Sequence, residues 1–243
     1  MSLIDQTESG NWLLQTLSES DFGLLQPHLR RIDLKVRDNL YEPDQPIEHV
    51  HFLEAGVASI VSAQEGGEQI EIGLYGRDGM SGSAVVLGAG QSPHGSMMQV
   101  DGATSLRIPS DRLADACDES RSLRNLLLRY VQTLALQAAQ TAAANAHYAL
   151  PERLARWLLM CHDRVDGDEI PLTHEFMAMM LSVRRSGVTV TVHTLEATGA
   201  IGASRGLIVV ADRDRLEEIA GESYGEAETE YRRLIGPFGK NRA

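Results

Sequence analysis

Hydrophobic positions along this chain change rhythm several times. From Ile32 to Ile108 they fall in short β-rich runs, Ile47–Leu53, Val57–Ala63, Gln69–Leu74, Met97–Val100 and Ser105–Ile108, separated by turn residues such as Glu65-Gly66-Gly67-Glu68. Short runs punctuated at close intervals predict an antiparallel β-roll or jelly roll. Ahead of it, Leu17-Ser18-Glu19-Ser20-Asp21-Phe22 reads as a helix start running to about Leu29. Ser18 is its cap, Asp21 reaches back to it, and Leu17 staples to Phe22. A small helix follows Pro109, with Ser110 as its cap.

From Ser120 to Ala149 there is no glycine or proline, and Leu123, Leu127, Tyr130, Leu134, Gln137, Thr141, Ala144 and Tyr148 recur at alternating steps of four and three. That is a heptad seam, which predicts a long helix with one covered face. We read it as a dimerisation helix with Leu123, Leu127, Tyr130, Leu134 and Thr141 at the interface; the alternative is a helix packed on its own domain. Pro151 starts a new helix through Trp157, so a domain boundary lies at Ala149 to Pro151.

The segment from Leu172 to Val210 is the most informative. Thr173 is a good N-cap for an apolar helix through Met180. Ser182 interrupts that helix, and Val183 can plug the core beneath the turn. The next stretch is ambiguous. Val188-Thr189-Val190-Thr191-Val192 alternates as a strand does. Yet Val188, Val192 and Leu195 lie at i, i+4 and i+7, one apolar face of a helix. The helical reading leaves Arg185, Ser186, Thr189 and His193 on the opposite face, with donors for base edges and phosphates. A hairpin comes next, with Ser204-Arg205-Gly206 as its turn and Leu207–Val210 as its second strand. A helix-turn-helix with a basic-tipped wing is more specific than either part alone, and it predicts docking into the major groove of duplex DNA.

Composition complicates this picture. The 243 residues are 43% hydrophobic but only 5% aromatic, so the core is built from Leu, Val, Ile, Ala and Met. The net charge of −12 opposes nucleic-acid binding, because phosphate contacts supply much of DNA affinity. Local charge answers it. Between Ser182 and Gly206 three arginines (Arg184, Arg185, Arg205) stand against one glutamate, Glu196. Cys117 and Cys161 are far apart and imply neither a disulfide framework nor a zinc site. The N-terminus lacks the basic and apolar segments of a signal peptide, and no stretch is long enough to span a bilayer, so a cytoplasmic protein is expected.

The run Leu181-Ser182-Val183-Arg184-Arg185-Ser186-Gly187-Val188 resembles the recognition element of the Crp/Fnr family of bacterial transcription regulators. The likeness is close over Pro151 to Val210 and extends in layout over nearly the whole chain. It implies an α+β fold in three parts: an N-terminal antiparallel β-roll of the cyclic-nucleotide-binding type with flanking helices (residues 1–119), a long dimerisation helix (120–149) and a C-terminal winged helix-turn-helix with a tail (150–243). Arg185 matches the family's principal guanine-reading arginine. Ser186 replaces the usual glutamate, and Val190 stands where another arginine often sits. On this basis Thr173, Arg184, Arg185, Ser186, Thr189, His193, Ser204 and Arg205 are expected to face DNA, as a homodimer on a palindromic operator. The resemblance also implies RNA polymerase as a partner, no enzymatic activity and no membrane association.

In the β-roll, His51-Phe52-Leu53-Glu54-Ala55-Gly56-Val57-Ala58 and Gly79-Met80-Ser81-Gly82 match the family's strand entry and the loop before its phosphate cassette. The cassette's Gly-Glu-Leu run reads Gly82-Ser83-Ala84 here, without the glutamate. Its arginine position falls on Gly95, within His94-Gly95-Ser96-Met97. A buried phosphate without a cationic partner carries a large desolvation cost. The pocket formed by Gly82, Ser83, Gly95 and Ser96 is therefore expected not to hold cyclic AMP tightly, and the effector stays unnamed. No cofactor is expected, and no cysteine precedes Cys117 to hold an iron–sulfur centre. Two alternatives stand beside this reading. His49-Val50-His51 followed by Glu54 is similar to the first metal motif of cupin enzymes, one residue short in spacing. The other is a ligand-sensing dimer that has lost DNA contact, to which Gly187 inside the recognition helix gives some weight.

Overall fold

The computed structural model describes residues 4–63, 69–100 and 103–240. The turn expected at Glu65–Glu68 lies outside the described residues. Two short helices open the chain, α1 (Trp12–Gln15) and α2 (Glu19–Leu25). Ser18 caps α2 by accepting from the Asp21 amide. The Asp21 carboxylate reaches back to the Ser18 side chain as expected. It also accepts from the hydroxyls of Ser120 and Ser122, one of which caps the long helix.

The β-roll comprises β1 (Arg30–Leu34), β2 (Asn39–Tyr41), β3 (His49–Leu53), β4 (Ala58–Ala63), β5 (Gln69–Tyr75), a short helix α3 (Ser83–Val86), β6 (Gly95–Met98) and β7 (Ala103–Pro109). The strands form two antiparallel sheets, ordered β1-β7-β3 and β2-β6-β4-β5. β1 and β2 escaped the sequence reading because they are short and mostly exposed: of Arg30–Leu34 only Leu34 is buried. Helix α4 (Ser110–Glu119) follows directly, but its cap position is Pro109, and the Ser110 hydroxyl is buried without a partner.

Helix α5 (Arg121–His147) is the expected long helix, capped by Ser120. Its heptad seam is not exposed. Leu123, Leu127 and Tyr130 are 0%, 1% and 0% exposed within the single chain, so they cannot form a subunit interface. Leu134 and Thr141 are half-buried on the same side. The seam packs on the β-roll. Tyr130 donates to the Met80 carbonyl at 3.0 Å, and its ring lies where a Cβ on Gly79 would be. Gln137 accepts from the Leu74 amide at 2.9 Å. The polar members of the seam therefore satisfy backbone groups of β5 and the loop after it, as buried polar groups must. The opposite face, with Leu128, Ala135, Ala139, Ala142 and Ala146, is exposed.

After Ala149 the chain forms α6 (Leu150–His162), β8 (Glu169–Ile170), α7 (His174–Met180), α8 (Arg185–Ala197), β9 (Ile201–Ser204) and β10 (Leu207–Val210). The wing is a three-stranded antiparallel sheet, β8-β10-β9. The stretch Val188–Val192 is helical: Val188, Val192 and Leu195 are buried in the core beneath α6 and α7, and burying that face outweighs the β preference of its valines.

The region read only as a tail holds two further helices, α9 (Arg213–Ala220) on α6 and α10 (Glu226–Leu234) on α5. Beyond α10, Phe238 enters the core of the β-roll, edge-on to Trp12 and 4.9 Å from the Tyr231 ring. The chain end thus belongs to the N-terminal core, while Val57, Leu74 and Val100 of the β-roll join the core of the C-terminal domain.

Candidate nucleic-acid interface

The turn between α7 and α8 sets the site. Thr173 caps α7 by accepting from the Phe176 amide at 3.2 Å. Ser182 then takes a left-handed conformation (φ +51°), which lets Ser182 and Val183 donate to the carbonyls of Met179 and Ala178. Arg184 is the N-cap residue of α8, and Arg185 is its first residue.

Thr173, Arg185, His193, Ser204 and Arg205 line one open cleft of about 670 Å3 between α8 and the wing. The side chains of Arg185, His193, Ser204 and Arg205 are exposed. Arg184 departs from its neighbour. It lines a separate cleft of about 560 Å3 with Gln69 and Ile70 of β5 and with Met179 and Val183, at the seam between the two domains. The adjacent arginines therefore face different surfaces. Ser186 is exposed at the start of α8, outside both clefts.

Thr189 is less free than its sequence position suggests. Its hydroxyl donates to the Arg185 carbonyl at 3.1 Å and meets His174 Nδ1 at 3.0 Å. Its role is to tie α8 to α7 as much as to face outward. Glu196 accepts from the Ala203 amide at 2.9 Å and pairs with His193 at 3.0 Å, so it joins the recognition helix to β9. Sequence reasoning missed His174, Glu175 and Glu196 as cleft residues, although His174 directly follows the cap. Gly187 sits in the first turn of α8, where a Cβ would be 3.4 Å from Leu150, an ordinary contact.

The four residues expected to form an effector pocket are each held by different neighbours. Ser96 is bonded to the Tyr75 hydroxyl at 2.7 Å and to the Ser59 carbonyl at 3.0 Å. Gly82 caps α3 with a positive φ, and Ser83 begins that helix. Gly95 lies against Pro43. Tyr75, Met98, Leu53 and Leu40 fill the interior of the roll. The cupin-like motif fares no better. Arg31 holds the Glu54 carboxylate with two bonds, at 2.6 and 2.8 Å, and among the described residues no three His, Cys, Asp or Glu side chains converge on a metal position.

A turn with this geometry, a recognition helix and a three-stranded wing behind a β-roll define a class. Residues 152–219 match the model of the Crp-like helix-turn-helix domain. The fold is shared with a regulator of the crp/fnr family from Eubacterium rectale (TM-score 0.66, 18% identity, 86% of this chain and 97% of that one). It is shared equally with FixK2 from Bradyrhizobium japonicum (TM-score 0.66, 17% identity, 79% and 98%). The global nitrogen regulator of a Nostoc species is 27% identical over 158 residues, 63% of this chain and 71% of that protein. Residues 152–219 therefore form a Crp-like helix-turn-helix domain, and the described fold is shared with a regulator of the crp/fnr family.

Proposed function

We propose that the protein is a homodimeric, sequence-specific DNA-binding regulator acting in the cytoplasm on a palindromic operator, with a β-roll that does not take cyclic AMP. The observation that carries this reading is the single cleft shared by Arg185 of α8 and Arg205 of the wing. A guanidinium on the recognition helix can read a guanine edge while the one on the wing meets a phosphate. Two such sites, related by a twofold axis, match half-sites about one helical turn apart. The surface of α5 left for a partner is the one bearing Leu128, Ala135, Ala139, Ala142 and Ala146, and the small side chains of the four alanines permit close helix approach. The packed interior around Tyr75 and Met98, without a cation at Gly95, supports the exclusion of cyclic AMP. RNA polymerase is the further partner such a regulator would engage.

The test is selection of binding sites from a random DNA pool, followed by gel shift with Arg185→Ala. Loss of binding in a variant that keeps its thermal stability supports the reading. Unchanged affinity would favour a ligand-sensing dimer without DNA contact. Micromolar binding of cyclic AMP in titration calorimetry would overturn the statement about the β-roll.

A further inference from the structure

Val190 is 66% exposed, more than any other large hydrophobic side chain among the described residues. It lies five positions after Arg185, on the face of α8 opposite the buried Val188, Val192 and Leu195. Folding does not explain it. A β-branched residue loses rotamer freedom in a helix, and an exposed one recovers no burial.

The neighbouring threonines point the same way. Thr189 donates to the Arg185 carbonyl and Thr194 donates to the Val190 carbonyl, at 3.1 and 3.0 Å. Their hydroxyl protons are spent on the helix itself. Beyond Arg185, Ser186 and His193, α8 therefore offers largely methyl groups outward, centred on Val190. In the major groove, the one apolar group on a base edge is the C5-methyl of thymine.

We infer that Val190 is a specificity-determining residue that recognises a thymine C5-methyl in each half-site, beside the base pair read by Arg185. This rests on the proposed DNA-binding function. Contact between valine and that methyl removes apolar surface from water on both sides, so the bases at this position are ranked by a methyl group rather than by a hydrogen-bond pattern.

The test uses the full-length protein and the operator it selects from a random pool. Each thymine of the half-site is replaced in turn by deoxyuridine, which deletes only the C5-methyl. One replacement is expected to weaken wild-type binding about fourfold, the effect of exposing one methyl group. Val190→Ala should weaken binding to the unmodified operator by a similar factor and lose the penalty for deoxyuridine at that one position, while penalties elsewhere persist. The inference is overturned if no single replacement affects the wild type, or if Val190→Ala retains every penalty. Arg185→Ala separates the two readings: loss of binding there, with no deoxyuridine effect in the wild type, keeps the regulator and removes only the role of Val190. If the pool yields no selected sequence, both fall.

Discussion

Arg164, just past the end of α6, and Asp78, in the loop after β5, form a two-bonded ion pair in which both side chains are almost fully buried, with contacts of 2.9 and 2.7 Å. The pair joins the DNA-binding domain to the β-roll. Its surroundings are built for it. A Cβ on Gly76 would lie 2.9 Å from the Arg164 Cβ, the third guanidinium nitrogen donates to the Met160 carbonyl, and the Phe238 ring lies 5.1 Å from the guanidinium. Removing one partner of a buried pair leaves the other charge uncompensated. Asp78→Asn should lower unfolding free energy by about 3 kcal/mol in urea titration. An effect below about 1 kcal/mol would show that the pair is not a domain fastener.

Phe238 makes the chain end part of the same junction. It is 2% exposed, between Trp12 and Tyr231, and the Tyr231 hydroxyl donates to the Asp78 carbonyl at 2.7 Å. Phe238→Ala is expected to cost about 3–5 kcal/mol, as for other large aromatic truncations in a core. A thermal melt that shows no destabilisation would mean that the terminal segment does not dock in solution.

Glu71 of β5 is fully buried at the domain seam, accepting from Ser59, Gln99 and Trp157. Burial pushes its carboxyl up from 4.5 to about 7, against the opposing pull of those hydrogen bonds. The folded state therefore holds a proton that the unfolded chain has already released. The contribution is fully present below about pH 4.5 and is lost as pH rises through 7. Its size is on the order of 3 kcal/mol. Gln99 Oε1 is buried without a partner, and turning that amide over would bring it to the protonated carboxyl as an acceptor. Urea titrations across this range should show stability falling with pH in the wild type and a flatter profile in Glu71→Gln. Equal slopes would exclude Glu71 as the source.

Ser182 holds a left-handed conformation (φ +51°) at the turn of the helix-turn-helix. That conformation costs an L-residue about 1–2 kcal/mol, and glycine is free of the cost. Ser182→Gly is expected to stabilise the protein by about 1 kcal/mol, raising Tm by about 2–4 °C in calorimetry. A fall in Tm would mean that the serine side chain makes a compensating contact.

The helix-turn-helix was legible in the sequence because its signals are local. The Thr173 cap, the break at Ser182 and the Arg205-Gly206 tip each act through bonds within a few residues. The short β-rich runs between turn residues announced the roll for the same reason, whereas β1 and β2, short and largely exposed, left almost no apolar pattern to read. The effector residues could be aligned one by one, but only the tertiary structure shows that Ser96 is bonded to the Tyr75 hydroxyl.

By itself, the sequence determined the order of the parts, a long helix within residues 120–149 and a pair of arginines at the head of the candidate recognition helix. Tertiary structure decided what each covered face is covered by. A heptad pattern records that Leu123, Leu127 and Tyr130 leave water, and burial of apolar surface is non-directional, so the pattern is the same whether a partner subunit or the chain's own β-roll lies opposite. The split of Arg184 from Arg185 and the return of Phe238 to the N-terminal core depend likewise on contacts between segments far apart in the chain, and no local rule of spacing encodes them.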